Sequence, residues 1–375
     1  MVSKILMVDP KGVILSGGQQ VVSRHQLYDE ALKKKTENLV RLCIVSKSGS
    51  VPALYLNTFE DSIKIIHGNI LKYASELLRI VKNDKTIKAI VVGDPWDSFL
   101  LTKICLLASR RKIPVQVQIH ADIGEPKWRK IQLRNLLKYY FAKISLPFAD
   151  QIRTVSDSQT RKILDSFKVK SNKIVVIPVV SGSMSTFRKS NSKTSTTTTI
   201  GLVGRIEVDR GLHQFLDIIS KLCQTDFHFQ VLIIGKGSKS TWLKNRLVNL
   251  VGKSNVEMTG WLQGEILTDK FAQVDILISV AQSESYGRAI REALSLGLGV
   301  LTTKSSGVDD LLTEQRNLNL SVLSGEESGM ELVEIMEEIL NSPHRENSAA
   351  IVLDEGIHIE FLIVSWINLC LEREI

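Results

Sequence analysis

Two carboxylates eight positions apart, Glu284 and Glu292, lie in the stretch whose chemistry is easiest to name: Ser283-Glu284-Ser285-Tyr286-Gly287-Arg288-Ala289-Ile290-Arg291-Glu292-Ala293-Leu294. The apolar run 275–280 before it reads as a buried parallel strand. The pattern after it predicts a helix that stops at Gly297 or Gly299, ahead of a second strand-like run at 300–303. A polar turn running into a helix N-terminus presents unpaired N–H groups and a partial positive charge, which suit a phosphate. Glu284 falls in the turn and Glu292 about two helical turns further on, so the pair can address one elongated ligand at two points. A sugar hydroxyl takes one carboxylate, a ribose diol takes another, and a pyrophosphate between them takes backbone N–H groups. The spacing by itself is also compatible with a solvated amphipathic helix, so the context decides.

Other candidates share the same kind of context. Ile200-Gly201-Leu202-Val203-Gly204-Arg205 is followed by Asp209-Arg210-Gly211 and then a helical pattern. The run 230–234 is a buried strand ending in Gly235-Lys236-Gly237, and 256–262 ends in Gly260-Trp261-Leu262. Trp261 either stacks on a base or fills the edge of the core. Near the start, a strand at 4–8 leads to a loop containing Gly17-Gly18 and then a helix to about Lys35. Paired glycines let a backbone approach a ligand closely, although a plain turn has the same composition. The strand 115–119 ends in His120-Ala121-Asp122, and the carboxyl end of a strand in an open α/β sheet is where ligands bind.

Glu-Ser-Tyr-Gly followed by Glu-Ala-Leu, with the Gly-Arg and Arg-Gly pairs upstream, resembles the signature of glycosyltransferase family 4. The resemblance spans nearly the whole chain and is specific from Gly204 to Asp309. It implies a GT-B fold: two Rossmann-like, doubly wound parallel-sheet domains facing a central cleft. It also implies a retaining enzyme that moves a sugar from a nucleoside-diphosphate sugar to an acceptor hydroxyl, in cell-surface polysaccharide or glycolipid synthesis. By the same resemblance His120 and Glu284 contact the reacting sugar, and Arg205 and Arg210 hold the diphosphate. Gly17, Gly18, Gly204, Gly235, Trp261, Ser285, Tyr286, Gly287 and Glu292 line the donor, with Glu292 on the ribose. Arg210 stands where the family has Lys, which keeps the charge and changes the geometry. Val179-Val180 replaces a usual Asn-Gly, Gly299 a usual Pro, and Ser306-Gly307-Val308-Asp309 a usual Gly-Gly-x-x-Glu. No Asp-x-Asp metal motif accompanies the donor segment, so no metal and no cofactor beyond the nucleotide sugar is expected.

The chain of 375 residues is long enough for two cores. The expected division is 1–182 for an acceptor domain, 183–198 for a Ser/Thr/Lys-rich linker, 199–358 for a nucleotide-sugar domain, and 359–375 for a helix packing back towards the first. Charge is segregated: residues 1–190 hold 32 Lys+Arg against 15 Asp+Glu, and residues 191–375 hold 16 against 25. Such a basic half suits an anionic membrane surface or an anionic or lipid-linked acceptor. It would also suit nucleic acid, but no nucleic-acid motif accompanies it. The four scattered cysteines read as buried thiols in a reducing compartment. The N-terminus lacks the pattern of a signal peptide and no apolar run reaches membrane-span length, so a cytoplasmic protein is expected, peripheral on the inner face of the plasma membrane if it docks.

That docking is expected from one helix over 127–143, with Lys127, Arg134 and Lys138 on a basic face beside Trp128 and Ile131. Lys33–Lys35 and Arg110–Lys112 add charge to the same half. Leu133, Leu136, Leu137, Tyr140, Phe141 and Ile144 form a separate apolar face assigned to the core. Two other readings fit the same motifs: a GT-B epimerase acting on the nucleotide sugar, and a non-catalytic subunit that only binds it.

Overall fold

The computed structural model describes residues 2–16, 19–47, 63–179, 197–281, 283–314, 319–342 and 355–371. They form two compact units. The first comprises residues 1–124, 134–178 and 356–375, and the second residues 125–133 and 179–355.

The first unit is built on a seven-stranded parallel sheet. Its strands are β1 (Ser3–Asp9), β2 (Val40–Lys47), β3 (Ile63–Ile66), β4 (Ile87–Val92), β5 (Val115–Gln118), β6 (Gln151–Thr154) and β7 (Ile174–Val176), in the order β3-β2-β1-β4-β5-β6-β7. Its helices are α1 (Val13–Ser16), α2 (Gln19–Lys35), α3 (Ile70–Asn83) and α4 (Asp97–Ser109). The β5–β6 connection carries α5 (Pro126–Ile131), which clusters with the second unit, and α6 (Leu133–Ser145); α7 (Asp157–Ser166) follows β6. The central strands are apolar runs because both faces are covered, as parallel sheets require. Asp9 ends β1 and caps α1, accepting from the N–H groups of Val13 (3.0 Å) and Ile14 (2.9 Å) and from Ser46 Oγ (2.9 Å).

The second unit has a six-stranded parallel sheet: β8 (Thr198–Val203), β9 (Phe229–Ile234), β10 (Val256–Gly260), β11 (Ile276–Ser279), β12 (Gly299–Thr303) and β13 (Leu320–Leu323), in the order β10-β9-β8-β11-β12-β13. Between them run α8 (Leu212–Leu222), α9 (Ser240–Val251), α10 (Gly264–Phe271), α11 (Arg288–Ser295) and α12 (Ser306–Glu314), and α13 (Gly329–Asn341) follows β13. Alternation along a strand sends Val231 and Ile233 to one face, with Phe215 and Leu243, and Leu232 and Ile234 to the other, with Phe271 and Leu294. The sheet is therefore doubly wound, like that of the first unit.

The last helix, α14 (Glu355–Leu371), belongs to the first unit. Trp366 packs on Tyr28 edge-to-face at 5.8 Å, and its indole Nε1 donates to Gln116 Oε1 at 2.9 Å. Ser365 Oγ accepts from Gln116 Nε2 at 2.8 Å and donates to Gln151 Oε1 at 2.9 Å. Buried amides on β5 and β6 thus find partners on a helix more than 200 residues away, which meets the cost of burying them.

Several expectations are corrected. The segment 127–143 is not one helix: Gln132 is extended (φ −150°, ψ 146°) and separates α5 from α6. Lys127 falls on α5 and Arg134 and Lys138 on α6, so the three share no single helical face. Trp128 is buried, and Lys138 Nζ lies 4.6 Å from the centre of the Trp96 ring. The apolar side chains of α6 assigned to the core point to solvent; the helix buries Asn135, Tyr139 and Ala142 instead. Arg111 turns inward, donating to the carbonyls of Val81, Asp84 and Ile87, while Lys33 pairs with Asp29 and Lys35 with Glu360. Ahead of α4, Asp94 Oδ1 receives the Trp96 and Ser98 N–H groups. Of the cysteines only Cys105 is buried, and Cys223 is exposed. The linker expected at 183–198 lies outside the described residues as far as 196, and β8 already begins at Thr198.

Candidate functional site

In the second unit the strand order reverses between β8 and β11, and the loops that leave their carboxyl ends run side by side. This brings together residues 74 positions apart: Arg210 Nη1 donates to Glu284 Oε2 at 2.6 Å. The side chains are largely shielded, with 29% and 20% of their surface exposed. Backbone contacts fix the approach. Gly211 has φ 68°, and a Cβ there would stand 1.8 Å from the Val280 carbonyl oxygen, so only glycine fits between the two loops. Gly307 N–H donates to the Glu284 carbonyl at 2.9 Å and pins the turn. A Cβ on Gly235 would meet the Gly204 carbonyl oxygen at 1.8 Å, so the ends of β8 and β9 close on each other.

The helix after the turn is α11, with Gly287 at its N-cap in the left-handed region (φ 74°). Ser285 and Tyr286 are buried just before it. The Arg291 guanidinium lies over the Tyr286 ring at 4.3 Å, and its Nε donates to the Tyr286 carbonyl at 3.2 Å, which holds the turn against the helix. Glu292, 5% exposed, accepts from Arg288 Nε at 2.7 Å. Burial raises the Glu292 pKa above the ordinary carboxylate value, and the neighbouring Arg288 charge and hydrogen bond partly offset this. Arg288 was not singled out from the sequence; its signal is the i, i+4 spacing to Glu292. Two polar atoms here, Arg210 Nε and Ser305 Oγ, are buried without a hydrogen-bond partner among the described residues. Ser305 carried no sequence signal, since a serine before a helix is ordinarily a cap.

Arg205 is exposed and meets Asp209 Oδ2 at 3.3 Å. Trp261, beyond the end of β10, is 58% exposed and does not fill the core edge. Among the described residues no group of three or more His, Cys, Asp or Glu is disposed to hold a metal.

In the first unit His120 follows β5 directly. Its side chain retains exposed surface, yet the ring is otherwise crowded by protein. That desolvation, with the Arg153 and Arg24 charges and His358 nearby, lowers its pKa well below the ordinary histidine value, so the imidazole is neutral at pH 7. Arg153, at the end of β6, is 4% exposed. Its guanidinium donates to the carbonyls of Ile177 (3.1 Å) and Pro178 (2.9 Å) and to Gln118 Oε1 (3.3 Å), with no carboxylate partner among the described residues. Tyr28 links this group to α14 through its hydroxyl, 3.3 Å from His358 Nε2. Gly17 and Gly18 lie outside the described residues.

Residues 183–351 match the family described as glycosyl transferases group 1. The sulfoquinovosyl transferase SQD2 of Arabidopsis thaliana is 30% identical over 114 residues, which is 30% of this chain and 21% of that protein. The capsular polysaccharide biosynthesis glycosyltransferase CapM of Staphylococcus aureus is 25% identical over 184 residues, 46% of this chain and 48% of that one. The chain thus spans less than half the length of either relative. Over its whole length it resembles a crystal structure of Anabaena HepE in complex with UDP and glucose, with a TM-score of 0.68, 17% identity, and coverage of 98% of this chain and 100% of that one. The fold is GT-B, with a Rossmann-like parallel sheet in each unit.

Proposed function

We propose that the protein is a retaining glycosyltransferase that moves a hexose from a nucleoside-diphosphate sugar to an acceptor hydroxyl, without a metal. The observation that carries this reading is the Arg210–Glu284 contact at the β8/β11 switch point, beside the N-terminus of α11 and the buried Arg210 Nε and Ser305 Oγ. The carboxylate now seated on Arg210 marks where the guanidinium fork accepts an oxyanion. A donor diphosphate takes that fork and the N–H groups around Ser285–Gly287, releasing Glu284 towards the sugar hydroxyls. Glu292, held by Arg288, takes the ribose diol. Gly204 and Gly235 leave room for the backbone to approach the nucleotide, and the exposed Trp261 offers a face to the base.

As the bond from the anomeric carbon to the β-phosphate oxygen breaks, negative charge grows on the leaving diphosphate, where Arg210, Arg205 and the helix N–H groups stabilise it. His120, neutral at pH 7, can accept or donate a hydrogen bond without adding charge. The match to group 1 glycosyl transferases, and the UDP and glucose in the HepE crystal, support a nucleotide-sugar donor. Arg153, buried with no carboxylate partner among the described residues, supports an acceptor bearing phosphate or another anion, as on a lipid-linked sugar at the cytoplasmic face of a membrane. The test is a screen of nucleotide sugars for thermal stabilisation, where ligand at ~100 times its dissociation constant adds roughly 2.7 kcal/mol, followed by turnover of the hit and NMR of the product's anomeric proton. Stabilisation by no nucleotide sugar rejects the reading; inversion at the anomeric centre rejects retention.

A further inference from the structure

Two neighbouring helices of the second unit carry the same polar spacing. On α8 it is His213, Asp217 and Ser220; on α9 it is Trp242, Arg246 and Asn249. Both sets follow i, i+4, i+7, so each is one stripe along its helix. Helix α8 joins β8 to β9 and α9 joins β9 to β10, which are neighbours in the sheet, so right-handed crossovers lay the two helices side by side and parallel. His213 meets Trp242 edge-to-face at 5.0 Å, which sets the register. One turn further on, Asp217 is level with Arg246, and another turn on, Ser220 is level with Asn249. Between the helices lies a groove of about 420 Å³, lined by both stripes together with Leu216 and Leu250. Its lining shares no residue with the Arg210–Glu284 site.

The groove holds hydrogen-bonding groups that the fold leaves unused. The side chains of Ser220, Arg246 and Asn249 make no hydrogen bond or ion pair with another described residue. Asp217 meets Lys221 through Oδ2 at 3.0 Å, which leaves Oδ1. Both signs of charge line the groove, and no ion pair bridges it. A polyanion would meet Asp217 and a polycation would meet Arg246, whereas a hydroxyl donates to the one and accepts from the other. Trp242 and Leu216 rest partly on the core, and with Leu250 they add apolar surface beside these polar groups. A pyranose ring needs that combination: one of its faces presents C–H groups, and its rim presents hydroxyls. The C–H face covers an aromatic ring, and adjacent hydroxyls bridge the forks of Asp, Asn and Arg side chains. Seven residues of helix rise about 10 Å, so the stripes extend past a single sugar ring.

We propose that the groove between α8 and α9 binds a neutral oligosaccharide, as a holding site for a glycan chain outside the transfer site. It rests on the proposed function only in naming that chain as acceptor or product; the binding test needs neither donor nor turnover, so the two can fail separately. Saturation-transfer NMR of the full chain with maltohexaose, cellohexaose and laminarihexaose tests it, with a heparin hexasaccharide as the anionic control. At least one neutral hexasaccharide should bind, with the strongest transfer at the C–H protons of one ring face. Arg246→Ala with Asn249→Ala should weaken that binding by ~10-fold or more, and Trp242→Ala should remove the ring-face transfer. Arg246 and Asn249 are exposed, so an unchanged thermal midpoint confirms that the double variant remains folded, and any stabilisation by a nucleotide sugar should be untouched in it. Binding of no neutral hexasaccharide, variants that bind as the wild type does, or preferred binding of the heparin hexasaccharide overturns the proposal.

Discussion

Arg288→Ala should make nucleotide binding more acid-sensitive, because it removes the charge and hydrogen bond that oppose the rise of the buried Glu292 pKa. Glu292 is buried, and burial alone pushes its pKa up; the Arg288 charge and the 2.7 Å hydrogen bond oppose that rise. Without Arg288 the carboxyl protonates at a higher pH. A protonated Glu292 loses its charge-assisted bonds to a ribose diol, about 1.5–3 kcal/mol, which is roughly 10- to 150-fold in affinity. Since the raised pKa belongs to an acid, affinity is retained at high pH and falls as pH drops through the raised value. At alkaline pH the variant and wild type should bind a nucleoside diphosphate alike, and as pH falls the variant should lose affinity at a higher pH than the wild type does. Isothermal titration calorimetry across this pH range measures this, with Glu292→Gln giving the slope due to the phosphates alone. Stability shifts in the opposite sense: a raised carboxyl pKa contributes stability below the ordinary carboxylate value and loses it as pH rises, so Arg288→Ala should be more stable at acid than at neutral pH. Parallel pH slopes for Arg288→Ala and wild type would refute the assignment of Arg288 as the group that opposes the rise of the Glu292 pKa.

The other expectations follow the same geometry. Arg210→Ala should lower kcat by more than it raises the acceptor KM, by about 100-fold if it stabilises the leaving diphosphate in the transition state, and steady-state kinetics that show wild-type turnover would remove it from that role. Gly211→Ala should abolish nucleotide binding or folding of the second unit, since its Cβ would overlap the Val280 carbonyl oxygen at 1.8 Å; crystallography or calorimetry finding it silent contradicts the loop packing. Turnover should survive EDTA, and loss restored by magnesium or manganese would contradict the cation assignment. His25 and His358 are buried with pKa values lowered by desolvation to about 4, so the stability they contribute is present above the ordinary value of 6.5 and is lost as pH falls towards about 4. For His25 that amounts to at most about 3 kcal/mol, and urea unfolding of His25→Gln should be flatter across this window than that of the wild type.

Much of this architecture was legible in the sequence because parallel sheets write themselves plainly. Strands covered on both faces are short apolar runs, and the glycines and polar turns at their carboxyl ends mark where the chain must turn closely. The runs at 4–8, 115–119, 230–234 and 275–280 correspond to β1, β5, β9 and β11 for that reason. The pairing of Arg210 with Glu284 was not legible, since it depends on β11 lying next to β8 rather than next to β10. The break at Gln132 carried no signal either: neither Pro nor Gly marks it, and helix-forming residues continue on both sides.

The misread side of α6 has a more general cause. Periodicity shows that a helix has an apolar side, but not that this side is the one facing its own sheet. On α6 the sheet side holds Asn135, Tyr139 and Ala142, and Tyr139 packs on Phe167 at a centroid distance of 5.3 Å. That side is less apolar than the one turned out, yet it carries the small Ala142 and compact Asn135, and it is the side that is buried. Packing against a sheet selects for volume and shape as well as for transfer free energy. The outward stripe of leucine, phenylalanine and isoleucine is then left exposed. If shape decides the seating, Ala142→Leu should destabilise the first unit by roughly 1–3 kcal/mol through overpacking, whereas Ile144→Ser, two positions away on the outer side, should leave unfolding within about 0.5 kcal/mol of the wild type. Denaturant unfolding of the two variants decides it: a costly Ile144→Ser together with a silent Ala142→Leu would mean that the outer stripe is part of the core after all.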